Sequence, residues 1–99
     1  MPYIKPVSRQ FLDDPIKECV EELREYAMFD ERVGVCNYVV TRIVAGAMLP
    51  DSKHWNYHSI SRALSVLHDA EAEMRRRLMD VREDVAISTN GDILEYEQA

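Results

Sequence analysis

Val35-Cys36-Asn37-Tyr38-Val39-Val40-Thr41-Arg42-Ile43-Val44-Ala45-Gly46-Ala47-Met48-Leu49 is the stretch whose reading decides the fold. It is apolar on most sides, and its β-branched residues would suit a strand. Its length and alanine-rich end favour a helix, and Pro50 ends it. A helix over residues 34–49, buried between neighbouring helices or partner subunits, is therefore expected.

Amphipathic helices are expected on both sides of this segment. Asp13-Asp14-Pro15 has the form of a helix start, an aspartate cap followed by a proline whose missing N–H costs nothing there. Ile16, Cys19, Val20, Leu23, Tyr26 and Ala27 then recur at helical spacing, with Glu18, Glu21, Glu22 and Glu25 on the other face, predicting a helix over 15–28. Beyond the Asp51–Asn56 loop, Tyr57, Ile60, Ala63, Leu64, Leu67, Ala70, Met74, Leu78 and Val81 form one stripe. It predicts a long helix over 56–81, roughly seven turns at 3.6 residues each. Pro2 and Pro6 make residues 1–14 an extended arm, with room for a short helical turn at Ser8–Leu12. At the other end, Val85 to Tyr96 resembles a hairpin over 85–96. Asn90-Gly91 supplies the positive φ angles of a type I′ turn. The expected fold is mainly α: a single domain of three helices, with an extended N-terminal arm and a short C-terminal β-hairpin.

With 99 residues the chain buries only around 60–65% of its unfolded surface, and oligomerisation is the usual remedy when disulfides and metals are missing. Cys19 and Cys36 fall on apolar helical faces, as small reduced hydrophobes. The first residues lack a signal peptide's apolar core, and no apolar run approaches the ~18 residues of a membrane span, so a cytoplasmic protein is expected. The net charge of −6, from 18 acidic and 12 basic residues, opposes non-specific binding to duplex DNA or anionic membranes. It leaves room for a local basic pocket that holds a small anion.

Several groups could carry chemistry. Asn37 and Thr41, like Tyr38 and Arg42, lie one turn apart on an otherwise apolar helix, where an unpaired buried polar group costs about 1–3 kcal/mol. A neighbouring helix or a bound ligand could satisfy them. Arg75-Arg76-Arg77 is the only basic run, suited to phosphate, but Glu71 precedes Arg75 and Glu73 precedes Arg77 at the spacing of helix-surface ion pairs. Arg76 is the least committed of the three on that spacing. His54-Trp55-Asn56-Tyr57-His58 could stack on a base or simply close the helix bundle. His54 and His58 have zinc-like spacing without a third ligand nearby, so no metal is expected. Glu18, Glu21 and Glu22 resemble the Glu-x-x-Glu helices of all-helical, metal-dependent nucleotide pyrophosphohydrolases. The second acidic pair those enzymes need on a facing helix is not evident, and no other catalytic pattern is visible. The expected protein is a binder rather than an enzyme, with no cofactor.

Met1-Pro2-Tyr3-Ile4-Lys5, Asn37-Tyr38-Val39-Val40-Thr41-Arg42, Arg75-Arg76-Arg77 and Asn90-Gly91-Asp92-Ile93 resemble, in order and over nearly the full length, a family of short phage and bacterial proteins. That family is similar in turn to the phage anti-CBASS sponges, small oligomers that sequester cyclic dinucleotide signals and silence a bacterial immune system. The resemblance implies a non-enzymatic homo-oligomer, a tetramer in preference to a dimer, with pockets at subunit interfaces. Placed on the family-like positions, chemistry assigns Lys5, Arg42 and Arg76 to phosphate and Tyr3 and Tyr38 to base stacking. Asn37 and Thr41 would bond base edges or ribose. Trp55 and its loop have no counterpart in the resemblance, and Glu95 and Glu97 would repel a phosphate if the tail lined the pocket. The alternative function is an inhibitor that uses its acidic first helix to block a basic protein surface.

Overall fold

The computed structural model describes residues 2–97, and every regular element among them is helical. In chain order these are α1 (Pro6–Arg9), α2 (Asp13–Arg24), α3 (Phe29–Met48), a 3-10 turn (Ser52–His54), α4 (Tyr57–Met74), a π segment (Arg75–Met79), α5 (Asp80–Asn90) and α6 (Leu94–Glu97). The chain divides into two units, one ending at Val66 and the other beginning at Leu67. No helix among the described residues is long and apolar enough to cross a membrane.

In the first unit the N-terminal arm is not wholly extended. Pro6 opens α1, and its fixed φ suits a first helical turn. Arg9 Nε donates to Ile4 O at 2.9 Å and ties the arm to that turn. The chain is already in helical conformation at Leu12 when α2 begins, so Asp13 and Asp14 occupy its first turn instead of capping it. A side-chain cap needs an extended residue at that place, and Leu12 has φ −103° and ψ −31°. The two carboxylates still oppose the positive end of the helix dipole.

α2 stops at Arg24, short of the expected residue 28, and α3 starts at Phe29, ahead of Gly34. The guanidinium of Arg32 bridges the short link. Its Nε and Nη2 donate to Tyr26 O at 3.1 and 2.9 Å, and Nη2 also approaches Arg24 O at 3.5 Å. These carbonyls lie where a helix end leaves acceptors without intrahelical donors, and a cation is favoured there. Arg32→Ala should lower stability by about 1 kcal/mol, less than a buried charged hydrogen bond because the site is wet. Thermal melting followed by circular dichroism checks this; an unchanged midpoint would mean that water replaces the guanidinium at no cost.

α2 packs on α3, the principal helix pairing of this unit. The decisive central stretch is a helix, as its length indicates, but no residue of α3 is buried within the chain. The expectation of a buried helix over 34–49 is therefore corrected for the chain taken alone. Ala63 on α4, 4% exposed, is the one buried residue among those described. Asn56 caps α4, its Oδ1 accepting from Ser59 N–H at 3.0 Å.

The second unit overturns the expected C-terminal hairpin. Residues 80–90 form α5, and Thr89 Oγ1 donates to Val85 O at 3.0 Å, a bond within the helix. Asn90-Gly91 is the helix stop: Gly91 has φ +89° and its N–H donates to Ile87 O at 2.8 Å. A positive-φ glycine serves both a type I′ turn and a helix C-terminus, and extending a helix already formed costs far less than nucleating a hairpin. The π segment also departs from the expected uniform helix over 56–81. Asp80 N–H donates to Arg75 O, five residues back instead of four.

Candidate functional site

In the first unit, Tyr38 and Arg42 come together one helical turn apart on α3. Arg42 Nη1 donates to Tyr38 Oη at 3.2 Å, and the guanidinium carbon stands 5.7 Å from the ring centroid. That is cation–π range, worth about 0.5–1 kcal/mol at an exposed site. Tyr38 is 61% exposed, so a face of the pair stays open to solvent. Together with Val39 and Ile43 of α3 and Cys19 of α2, the pair lines a groove of about 340 Å³. Small-molecule sites start near 300 Å³. Arg42 carries no carboxylate partner among the described residues. An aromatic ring and a cation thus share one mostly apolar cleft.

The other polar groups of α3 go elsewhere. Thr41 Oγ1 donates to Asn37 O at 2.7 Å, which satisfies the hydroxyl inside its own helix. Asn37 borders a separate groove of about 250 Å³ with Phe29, Arg32, Val33 and Cys36. The polar stripe is therefore split between two clefts.

Tyr3 lines a third groove, of about 330 Å³, with Pro2, Ile4, Leu12, Ile16, Arg9 and Asp13. Lys5 is exposed at the start of α1 and is not part of that lining. The basic group brought to Tyr3 is Arg9, which sequence reasoning passed over. Its signal is the spacing: the single helical turn at Pro6–Arg9 folds back on Ile4.

Arg76 belongs to the second unit. It binds Glu73 through both ends of the guanidinium, Nε to Oε2 at 3.1 Å and Nη2 to Oε1 at 2.6 Å. The reading of Arg76 as the least committed arginine is corrected, because Glu73 turns to it and not to Arg77. Glu71 pairs with Arg75 at 3.0 Å, as its spacing indicates.

At the loop before α4, His54 Nδ1 lies 2.9 Å from Asp51 Oδ1, which also accepts from Lys53 N–H at 2.9 Å. His58 Nε2 meets Arg62 Nη1 at 3.5 Å, so the two histidines serve different partners. The hydrogen bond from His54 is the main reason that the Asp51 carboxyl lies below the usual aspartate range. A depressed carboxyl contributes stability at pH above its unfolded value, and loses it as pH falls through the folded one. The carboxyl carbon of Asp51 should therefore titrate in NMR at lower pH than a free aspartate, and His54→Ala should raise its midpoint. An unmoved midpoint in that variant would remove His54 as the cause. No group of three or more His, Cys, Asp or Glu residues among those described is placed to hold a metal ion.

Comparison with curated proteins returns no match, and comparison with solved structures returns none either. A family pattern, described as a domain of unknown function (DUF6899), matches residues 1–93. The match spans both units and every groove described above, and the chain belongs to the DUF6899 family.

Proposed function

We propose that this protein is a non-enzymatic homo-oligomer that sequesters a cyclic dinucleotide second messenger in the cytoplasm (the host's, if the protein is phage-encoded), the role its resemblance to phage anti-CBASS sponges implies. The observation that carries the reading is the Tyr38–Arg42 pair at the edge of a groove of about 340 Å³. A cyclic dinucleotide offers flat bases and two phosphates. An exposed ring beside a guanidinium without a carboxylate partner matches one of each. Tyr3 and Arg9 also line one groove, together with Asp13. Sequestration needs tight binding and slow release, with no bond made or broken.

The homo-oligomer, a tetramer in preference to a dimer, is supported by exposed apolar side chains along α3, including Val33, Val40 and Ile43. Large exposed apolar surfaces on soluble proteins mark contact sites. Native mass spectrometry against cyclic di- and trinucleotides, with linear nucleotides as controls, tests the proposal. An intact oligomer carrying unmodified cyclic ligand is the expected result. An oligomer that ignores the whole panel would overturn it.

A second reading is favoured by one observation. Glu18, Glu21 and Glu22 on α2, and Glu25 at its C-terminal cap, are all exposed, a ready acidic face for a basic protein target. Charge reversal at Glu18, Glu21 and Glu25 would abolish activity on that reading, with Arg42 dispensable.

A further inference from the structure

The helix of the second unit has no core of its own. Leu67, Met74, Leu78, Met79, Val81, Val85 and Ile87 each leave between 39% and 66% of their surface exposed. No described residue of this unit is buried, and Glu73 is the one among those described that is less than about a third exposed. Isolated helices are marginal in water, and most helical stability in proteins comes from packing an apolar face. This face needs a cover.

The π segment shapes that face. A bond to the fifth preceding residue widens one turn, so that Leu78 and Met79 both fall beside Met74. With Glu71, Arg75 and Arg82 they line an apolar groove of about 350 Å³. The positions of these six residues are symmetric about the midpoint between Arg76 and Arg77. Reversing the helix end for end about that point exchanges Glu71 with Arg82, Met74 with Met79, and Arg75 with Leu78. A two-fold interface needs this property, because each residue must meet its mirror position on the other copy.

We propose that the groove is the seat of the same helix from a second copy of this chain, packed antiparallel. In that pairing Glu71 of each copy faces Arg82 of the other, and Met74 faces Met79. Methionine suits the centre, since its unbranched thioether adapts to an irregular gap. A parallel pairing would set Glu71 against Glu71 and Arg82 against Arg82, which like charges disfavour. Glu71 already holds Arg75 at 3.0 Å, so Arg82 of the other copy would enter as a second cation on the same carboxylate. The proposal specifies one interface of the homo-oligomer and rests on that part of the functional reading, independently of any nucleotide.

Charge exchange tests it. Glu71→Arg and Arg82→Glu would each be measured by sedimentation equilibrium of the full chain, with helix content followed by circular dichroism. Each single variant should weaken self-association at least tenfold, and the double variant Glu71→Arg/Arg82→Glu should restore it to within about threefold of the starting protein. Single variants that associate normally, or a double variant that stays weak while fully helical, would overturn the antiparallel pairing. Nucleotide binding plays no part in this readout. An assembly that responds as expected but binds no cyclic nucleotide would count against the sequestration reading alone.

Discussion

Arg42→Ala should weaken cyclic dinucleotide binding about a hundredfold while leaving the oligomer intact. A charge-assisted hydrogen bond is worth about 1.5–3 kcal/mol, and each 1.4 kcal/mol is a factor of ten. The upper part of that range applies here, because Arg42 is the cation of its groove and carries no carboxylate among the described residues. Tyr38 separates stacking from hydrogen bonding. Tyr38→Phe keeps the ring and should cost little, whereas Tyr38→Ala should lose about 1–3 kcal/mol of base stacking. Isothermal titration calorimetry gives the affinities, and native mass spectrometry confirms the assembly. Equal affinity in Arg42→Ala and the unaltered protein would remove this groove as the phosphate site.

Ala63→Asp should be the most destabilising single change in the first unit, at about 3 kcal/mol or more. Ala63 is 4% exposed, and a carboxylate placed there would be desolvated without a counter-charge. Ala63→Leu should cost about 1–3 kcal/mol by overpacking, and Ala63→Gly about 1 kcal/mol through helix propensity alone. Urea unfolding measures all three. An aspartate no worse than glycine would show that this residue is not enclosed in solution.

Backbone patterning was the legible part of this chain. The choice of helix over strand for α3 was decided by length against β-branching, and the apolar stripe of α4 marked its start near Asn56. Features with two uses misled. Asn90-Gly91 can close a hairpin or end a helix, and only the helix already running through Val85 and Thr89 decides between them. Asp13-Asp14-Pro15 carries the residues of a cap, yet the preceding turn enters α2 in helical conformation. The π segment leaves no trace in composition, since Arg75 to Met79 are ordinary helix formers.

The candidate site was legible to the same degree. Tyr38 and Arg42 meet because residues four apart share a helix face, which spacing alone supplies. Spacing could not say that Asn37 would border another groove, or that Thr41 would bond its own helix. It also could not choose between Arg76 and Arg77 for Glu73, since both lie within reach on a helix. Arg9 was missed because its neighbour Tyr3 is reached through a fold in the arm, not through a periodic face.

The widened turn at Arg75–Met79 also separates chain length from direction. It takes up one residue more than an α turn, and each residue of a regular α-helix turns the chain by about 100°. Val81 and Val85 therefore point where a uniform helix one residue shorter would aim them. A relative lacking one residue inside this turn would close it to an ordinary α turn and keep those two side chains in place. The same deletion made within α5, beyond the slack, would swing the rest of the helix by about 100° and turn a different stripe outward. The second unit thus tolerates a change of length at one turn only, and elsewhere a single lost residue exchanges the face it offers.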